Sequence, residues 1–388
     1  MVVKRRCFAR ARRAAGYTQE GLAEYLGVDR TTVARWEAGE YEPQPWLRFK
    51  IARALRVSIE RLDELLAESG LSESEVAERV GFTLQYPSSV DLVTVAHLRH
   101  QLQQLDERYD RVPSTSLLAE AGQCLGRVGF LSANTTKGHV RRELYALEAE
   151  AATLMGQLVW DASQRRDHAT AHLYFDRAVN AARQLRDPTA EGLALLRKSF
   201  VALYGEHDPR TGLDLTARIA QTTMGSSHVV TGLALLHAAE AHAMLGQQRA
   251  CEQALTSAGD QFERIDEADA AIDLYSPTQF GRLAGSCYLF LEDAKRAQLI
   301  LEEIAQSSRD RSKSHAIVLG NLTLACIRQQ NLDEAAARLH EAIDVIELTW
   351  GGGGLNVVFG AGRELRQWRS LPVVHDVYDR LLGLMAAA

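Results

Sequence analysis

The residues best equipped for chemistry near the start of this chain are hydrogen-bond donors rather than nucleophiles. Arg30, Thr31, Thr32 and Arg35 fall in a stretch whose apolar spacing predicts a short helix, so their guanidinium forks and hydroxyls stand on its amino-terminal, solvent-facing side. A guanidinium offers two parallel N–H groups to a planar pair of acceptors, which is the shape of a carboxylate, a phosphate or the O6/N7 edge of guanine. Asp29, just ahead of them, is placed to cap that helix. Elsewhere no reaction centre assembles. His237 and His242 are five apart and do not share a helical face as metal-binding HExxH histidines do. Glu302 and Glu303 are adjacent and point apart, and no GxSxG, Walker or Cys–His set occurs. The glycines after Trp350 (Gly351 to Gly354) invite a phosphate-loop reading, but no G-K-[ST] follows and no strand precedes. They read instead as a flexible hinge before closing helices that contain Phe359, Leu365 and Trp368, with Arg363, Arg366 and Arg369 as solvated face. No catalytic set, cofactor or metal site is expected.

The elements that must position the donors are two short helices joined by a tight turn, Gln19 to Gly39. Leu22, Ala23 and Leu26 share a face of the first; Val33 and Trp36 share a face of the second. Ala23 is small where the helices must cross, and Gly27 suits the left-handed backbone of the turn. This helix-turn-helix stretch resembles the phage-repressor-like regulators (the Cro/C1 or XRE family), down to the W-E-x-G ending at Trp36, Glu37 and Gly39. The resemblance implies a five-helix, lambda-repressor-like fold over residues 5–66 and implies roles. Gln19 would touch a phosphate and brace the second helix, Arg30, Thr31 and Arg35 would read bases in the major groove, and Thr32 would contact a phosphate. The family often has Gln where this chain has Arg30 and Arg35, and arginine there favours guanine. Glu40 to Pro45 lies where the family runs along a phosphate strand.

Around this motif, a first helix is expected from about Val3 to Ala15, with Phe8 beneath the motif and Arg10 and Arg13 facing the DNA backbone. Thr18 caps the next helix. Pro45 opens a fourth, in which Trp46, Phe49 and Ile51 to Leu55 are expected to contribute core, and Ser58 caps a fifth that ends near Leu66. Ser72 begins a short amphipathic stretch, Val76 to Val80, and Gln85 to Ser89 is polar linker. The domains expected are therefore 1–66 (DNA-binding), 67–90 (linker with a short helix) and 91–388 (a helical sensor and dimerisation domain).

Charge divides along the same line. Residues 1–56 carry twelve Lys/Arg against six acids, so a chain of net charge -6 is +6 there and -12 beyond. That asymmetry fits a DNA-contacting head on an acidic body. The five cysteines are scattered with no CxxC pair, and the longest nearly apolar run, Ala316 to Ile327, contains Asn321 and is too short to span a bilayer. A cytoplasmic protein without membrane contact is expected.

Beyond Asp91 the pattern is almost wholly helical, interrupted at Pro113, Pro188, Pro209 and Pro277. A small or apolar residue recurs twelve before a small one and nineteen before another, as Val159, Ala171, Ala178; Ala239, Cys251, Ala258; Gly285, Ala297, Ile304; and Thr323, Ala335, Ala342. That is the spacing of tetratricopeptide repeats, here lengthened to about 38 to 46 residues per unit instead of about 34. A degenerate hairpin, Leu193 to Ala220, fills the gap after the first. The fold class expected is all-α, a helix-turn-helix domain followed by an α-solenoid of tetratricopeptide-like hairpins. By the repeat register Gln157, Trp160, His237, Glu240, Arg282, Asn321 and Arg328 line the concave surface, with Lys198 or Tyr204 from the degenerate unit.

The combined architecture resembles peptide-sensing quorum regulators and actinobacterial regulators of the same build. It implies a sequence-specific DNA-binding transcriptional regulator, a homodimer on an inverted-repeat operator of double-stranded DNA, whose body binds a peptide or small-molecule signal. The alternative is a regulator or adaptor, antitoxin-like or scaffolding, whose repeats bind a partner protein.

Overall fold

The computed structural model describes residues 5–39, 41–67, 73–307 and 312–386, and among these every regular element is a helix. Two compact units emerge, Met1–His100 with Ala133–Glu143, and Gln101–Ser132 with Leu144–Ala388.

The first unit opens with α1 (Arg6–Ala14), α2 (Gln19–Leu26), α3 (Arg30–Ala38), α4 (Pro45–Leu55) and α5 (Ile59–Ala67). Phe8, Leu22, Val33, Ile51 and Leu62 are fully enclosed and form one core with Trp36 and Leu26. The Thr18 hydroxyl accepts from the Gly21 amide at 2.9 Å, starting α2, and Gly27 ends it at φ 70°, a conformation that costs a side-chain-bearing residue about 1–2 kcal/mol. Ser58 caps α5 through the Arg61 amide at 3.1 Å. Asp29 holds the extended N-cap backbone of α3 but makes no side-chain cap bond, so its carboxylate acts on the helix only through its charge. Val3 and Lys4, Glu40, and the Ser72 cap position lie outside the described residues.

Trp46 and Phe49 correct the expected core. They are 68% and 71% exposed, because α4 buries the Leu47, Ile51 and Leu55 row, and residues one before and two after Leu47 lie on its other side. The stretch read as a short amphipathic piece and linker is ordered as α6 (Glu73–Gln85) and a 3₁₀ turn, Pro87–Ser89; α7 (Leu92–Tyr109) follows.

The second unit is an array of helical hairpins: α8 (Leu118–Asn134), α9 (Gly138–Ala162), α10 (His168–Leu185), α11 (Pro188–Phe200), α12 (Pro209–Thr223), α13 (His228–Met244), α14 (Gln248–Phe262), α15 (Pro277–Phe290), α16 (Ala294–Ser307), α17 (Lys313–Arg328), α18 (Leu332–Thr349), α19 (Gly352–Leu365) and α20 (Pro372–Ala386). Helices α8 and α9 begin or end in the first unit by residue number. Each small-residue triplet runs from a first helix (α9, α13, α15, α17) to the second helix of its hairpin (α10, α14, α16, α18). Ala171, Ala178, Ala239, Cys251, Ala258, Ala297, Ala335 and Ala342 are all fully buried, so small side chains sit where helices cross. α11 and α12 form the degenerate hairpin. First helices touch one another along the array, α11 on α13, α13 on α15 and α15 on α17, which is how a solenoid builds one continuous inner wall. Pro188, Pro209 and Pro277 stand at the first position of α11, α12 and α15, where a missing N–H costs nothing.

The glycine run is not a hinge. Gly352, Gly353 and Gly354 form the buried first turn of α19, and a methyl on Gly354 would stand 2.6 Å from the Ala316 Cβ on α17. Glycine lets these two helices approach more closely than any side chain permits.

Candidate nucleic-acid interface and effector cavity

In the first unit one carboxylate ties three helices together. Glu37 on α3 accepts from Arg12 Nε of α1 at 2.6 Å and from Gln19 Nε2 of α2 at 2.5 Å, and Arg12 also donates to the Tyr17 carbonyl at 2.6 Å. Arg5 adds a second tie, donating to the carbonyls of Trp36 (3.2 Å) and Tyr41 (2.7 Å). Both arginines are buried, so two of the twelve basic groups counted in residues 1–56 serve the interior, not the surface. Residue type alone does not signal this, since an arginine on a short basic helix reads as solvated until its partner is placed.

The outer face of α3 is open. Arg30, Thr31 and Arg35 are exposed and Thr32 is half-buried; Arg30 lies 3.7 Å from Glu20, and both side chains of that pair are well solvated. The Arg35 guanidinium lies 5.8 Å from the centroid of the exposed Tyr41 ring. Arg10 and Arg13 are exposed on α1. The first helix-turn-helix unit therefore presents directional donors on a helix whose other side is clamped by Glu37 and packed through Val33 and Trp36.

The second unit contains a cavity of about 1230 Å³ that is partly open to solvent. Gln157, Trp160, His237, Glu240, Arg282 and Asn321 all line it, brought together from α9, α13, α15 and α17. Arg328 does not; it donates to the Leu289 carbonyl, approaches Glu364 at 3.7 Å, and borders a smaller cavity of about 470 Å³. Of the two alternatives from the degenerate unit, Tyr204 lines the larger cavity, whereas Lys198 is paired with Asp176 at 2.5 Å. Tyr204 is aimed there by a single π-helical turn, Val201–Gly205, which extends α11.

Two buried polar clusters shape the wall. In the first, Tyr204 donates to Glu240 Oε2, Ser286 donates to Glu240 Oε1 at 2.5 Å, and His237 Nδ1 lies 2.7 Å from the Tyr204 oxygen. Burial and the neighbouring Glu240 charge push the Tyr204 phenol well above its ordinary value, so it keeps its proton. Burial alone would raise the Glu240 carboxyl, but the His237 ring 3.7 Å away and the hydrogen bonds accepted from Ser286 and Tyr204 outweigh that and hold it low. Burial keeps His237 below its ordinary value, hence neutral. The single phenolic proton is committed to Glu240, so the imidazole proton sits on Nδ1 and donates to Tyr204, leaving a lone pair on Nε2 with no partner. Glu240 is thus satisfied from within.

In the second cluster, Asp161 accepts from the Tyr109 hydroxyl at 2.6 Å and Arg165 Nε at 3.1 Å, with the Lys313 ammonium 4.0 Å away. Lys313 in turn donates to Ser114 at 2.8 Å and sits 4.3 Å from the Tyr109 ring centroid. A methyl on Gly352 would lie 3.6 Å from Asp161 Oδ2, so the positive end of α19 faces this carboxylate. Of the first cluster the repeat register named His237 and Glu240, with Tyr204 as one of two alternatives, and missed Ser286; the second cluster was not legible, because its members are separated by as many as 199 residues. No group of three or more His, Cys, Asp or Glu side chains arranged to hold a metal occurs among the described residues, and none of their helices is long and apolar enough to cross a membrane.

Comparison with known proteins concentrates on the first unit. A helix-turn-helix family model matches residues 8–62. An uncharacterized HTH-type transcriptional regulator of Methanocaldococcus jannaschii is 51% identical over 43 residues, which is 11% of this chain and 65% of that protein. One from Bacillus subtilis is 47% identical over 45 residues, 12% of this chain and 68% of the relative. The chain thus spans about two thirds of the length of these curated relatives. Among solved structures, Bacillus thuringiensis PlcR in complex with the peptide PapR7 and DNA aligns over 77% of this chain and 95% of its own at 16% identity, with a TM-score of 0.36. The matched residues contain Gln19, the Gly27 turn, the α3 donors and Glu37, and through them the chain belongs to the XRE-type helix-turn-helix family of transcriptional regulators.

Proposed function

We propose that the chain is a sequence-specific, dimeric transcription regulator in which α3 enters the major groove and the helical body responds to an effector. The observation that carries the reading is the pairing of an exposed donor row, Arg30, Thr31 and Arg35, with an internal clamp, Arg12–Glu37–Gln19, that fixes the helix bearing it. In this reading Arg30 and Arg35 favour guanine, Thr32, Arg10 and Arg13 meet phosphates, and Gln19 braces α3 while touching the backbone. Residues 1–66 act as the DNA-binding head, 67–90 as the connecting segment, and 91–388 as the sensing and dimerising body.

The cavity, with Gln157, Trp160, His237, Arg282 and Asn321 on its wall, supports the effector role. A peptide or small molecule bound there would shift the population of head spacings, and only one spacing suits two half-sites about one helical turn, or a multiple, apart. The protein would act in the cytoplasm, where its operator lies.

The test is selection of sites from a random duplex pool at physiological salt, with sedimentation velocity on the same full-length protein. An enriched inverted repeat together with a dimer supports the proposal. A sedimenting monomer that enriches a single half-site would remove the dimer, and no enriched sequence at all would remove the regulator.

A further inference from the structure

The cavity of the second unit is bordered by three guanidinium groups with no counter-ion in contact among the described residues: Arg111, which is exposed, and Arg197 and Arg282, which are half-buried. Arg197, on α11, and Arg282, on α15, both border it, and neither makes a hydrogen bond or ion pair with a described residue. The charges at the two polar clusters of that wall are engaged. Asp161 holds Arg165 and, more distantly, Lys313, while Glu240 is held by the Tyr204 and Ser286 hydroxyls. Asp106 acts on Arg197, and Asp110 and Arg282 act on each other, only through space, without contact. Asp110 is itself bonded to Ser312 and the Ser314 backbone. The two arginines, both half-buried, therefore keep N–H donors available to an acceptor that enters the cavity. Burial also pulls Arg197 below its ordinary value, against the opposing pull of Tyr109, Asp106 and Asp161.

Beside these donors the wall is aromatic. The Arg197 guanidinium lies 5.2 Å from the Phe200 ring centroid, Phe200 lies 4.4 Å from the His237 ring, and Trp160 is buried on the neighbouring first helix. The indole Nε1 of Trp160 and Nε2 of His237 have no partner. With about 1230 Å³ the cavity exceeds the usual range of about 300–1,000 Å³ for small-molecule sites, so an apolar body fits beside the charged end.

We propose that this cavity takes an amphipathic organic acid, its carboxylate held between Arg197 and Arg282 and its flat apolar body against Phe200 and Trp160. The proposal rests on the reading of the body as an effector-binding domain and names the class of effector. A monoanion suits the site better than a phosphate dianion, because Asp106 acts on Arg197, Asp110 acts on Arg282, and Glu240 borders the same cavity. Planar carboxylate recognition is the task for which paired guanidinium groups are built.

The test is calorimetric titration of the full chain with 1-naphthylacetate and with its neutral isostere 1-naphthylacetamide. The proteins compared are wild type, Arg197→Gln, Arg282→Gln and Arg197→Lys, each first confirmed to melt as the wild type does. The acid should bind about tenfold or more tightly than the amide. Each glutamine variant should lose about tenfold for the acid and little for the amide, and Arg197→Lys should retain part. Equal binding of acid and amide, indifferent to both arginines, would overturn the carboxylate class while leaving an effector cavity in place. No binding of either probe at millimolar concentration would overturn both the class and the cavity's role as a small-molecule site.

Discussion

Replacing Glu37 by alanine should loosen the recognition helix without touching any residue on its outer face. In the intact head the Glu37 and Arg12 side chains are 11% and 7% exposed and meet at 2.6 Å, and Gln19 donates to the other carboxylate oxygen at 2.5 Å. Breaking a buried pair by removing one partner costs about 3–5 kcal/mol, because the remaining charge is left uncompensated. Arg12 keeps its bond to the Tyr17 carbonyl, which draws the expectation to the low end, about 3 kcal/mol. That corresponds to a rise of about a hundredfold in the opening of α2 and α3. Glu37→Gln keeps one acceptor oxygen and the side-chain volume, and should cost about half as much. Amide hydrogen exchange on the full chain reads this locally, peptide by peptide. Protection of α2 and α3 in Glu37→Ala within about threefold of wild type would refute the clamp, and with it the account of how α3 is held.

Arg30→Ala or Arg35→Ala should each cost about 1–3 kcal/mol on the selected site and relax base preference at one position, read by fluorescence anisotropy at fixed salt; intact specificity in both variants would remove them from base reading. Arg13→Ala should weaken all duplexes alike and lower the salt slope by about one, whereas a wild-type slope would place Arg13 on the solvated surface. Burial holds His237 below its ordinary value of 6.5, so as pH falls through that value the unfolded chain takes up a proton that the folded chain refuses. The melting temperature should therefore drop from pH 7 to pH 5 more steeply in the wild type than in His237→Gln, and parallel pH profiles would contradict the buried neutral imidazole. Gly354→Ala places a methyl 2.6 Å from the Ala316 Cβ and should destabilise by about 1–3 kcal/mol, while Gly126→Ala, with nothing within 4 Å, should stabilise by about 0.4–1 kcal/mol; thermal melts of the two variants moving the same way would contradict the close approach of α17 and α19.

What the sequence made legible was local or periodic. Leu22, Ala23, Leu26 and Gly27 announce the helix-turn-helix because neighbours on one helix face are neighbours in the sequence. The twelve-and-seven spacing announces the hairpins because each triplet marks one helix crossing. The same register also gathered six of the seven named body residues onto one cavity, while Arg328 fell outside it. Misreadings arose where residue type and tertiary position disagree. Trp46 and Phe49 are apolar by type, yet the Leu47–Ile51–Leu55 row is the one that reaches the core, and that row was present in the spacing. Four consecutive glycines suggest a break until Ala316 is found close against them. Arg197 escaped notice because the register of its hairpin is degenerate. Arg5 and Arg12 are the opposite error, charges counted for the surface that are spent inside.

The central claim is that Arg30 and Arg35 on α3 read guanine in the major groove, and methylation interference at guanine N7 on the selected operator tests it most directly. The account predicts that N7 methylation of particular guanines in each half-site blocks the full-length protein, and that Arg30→Ala and Arg35→Ala each abolish interference at a different guanine. Interference that is absent in the wild type, or that persists unchanged in both variants, would contradict it.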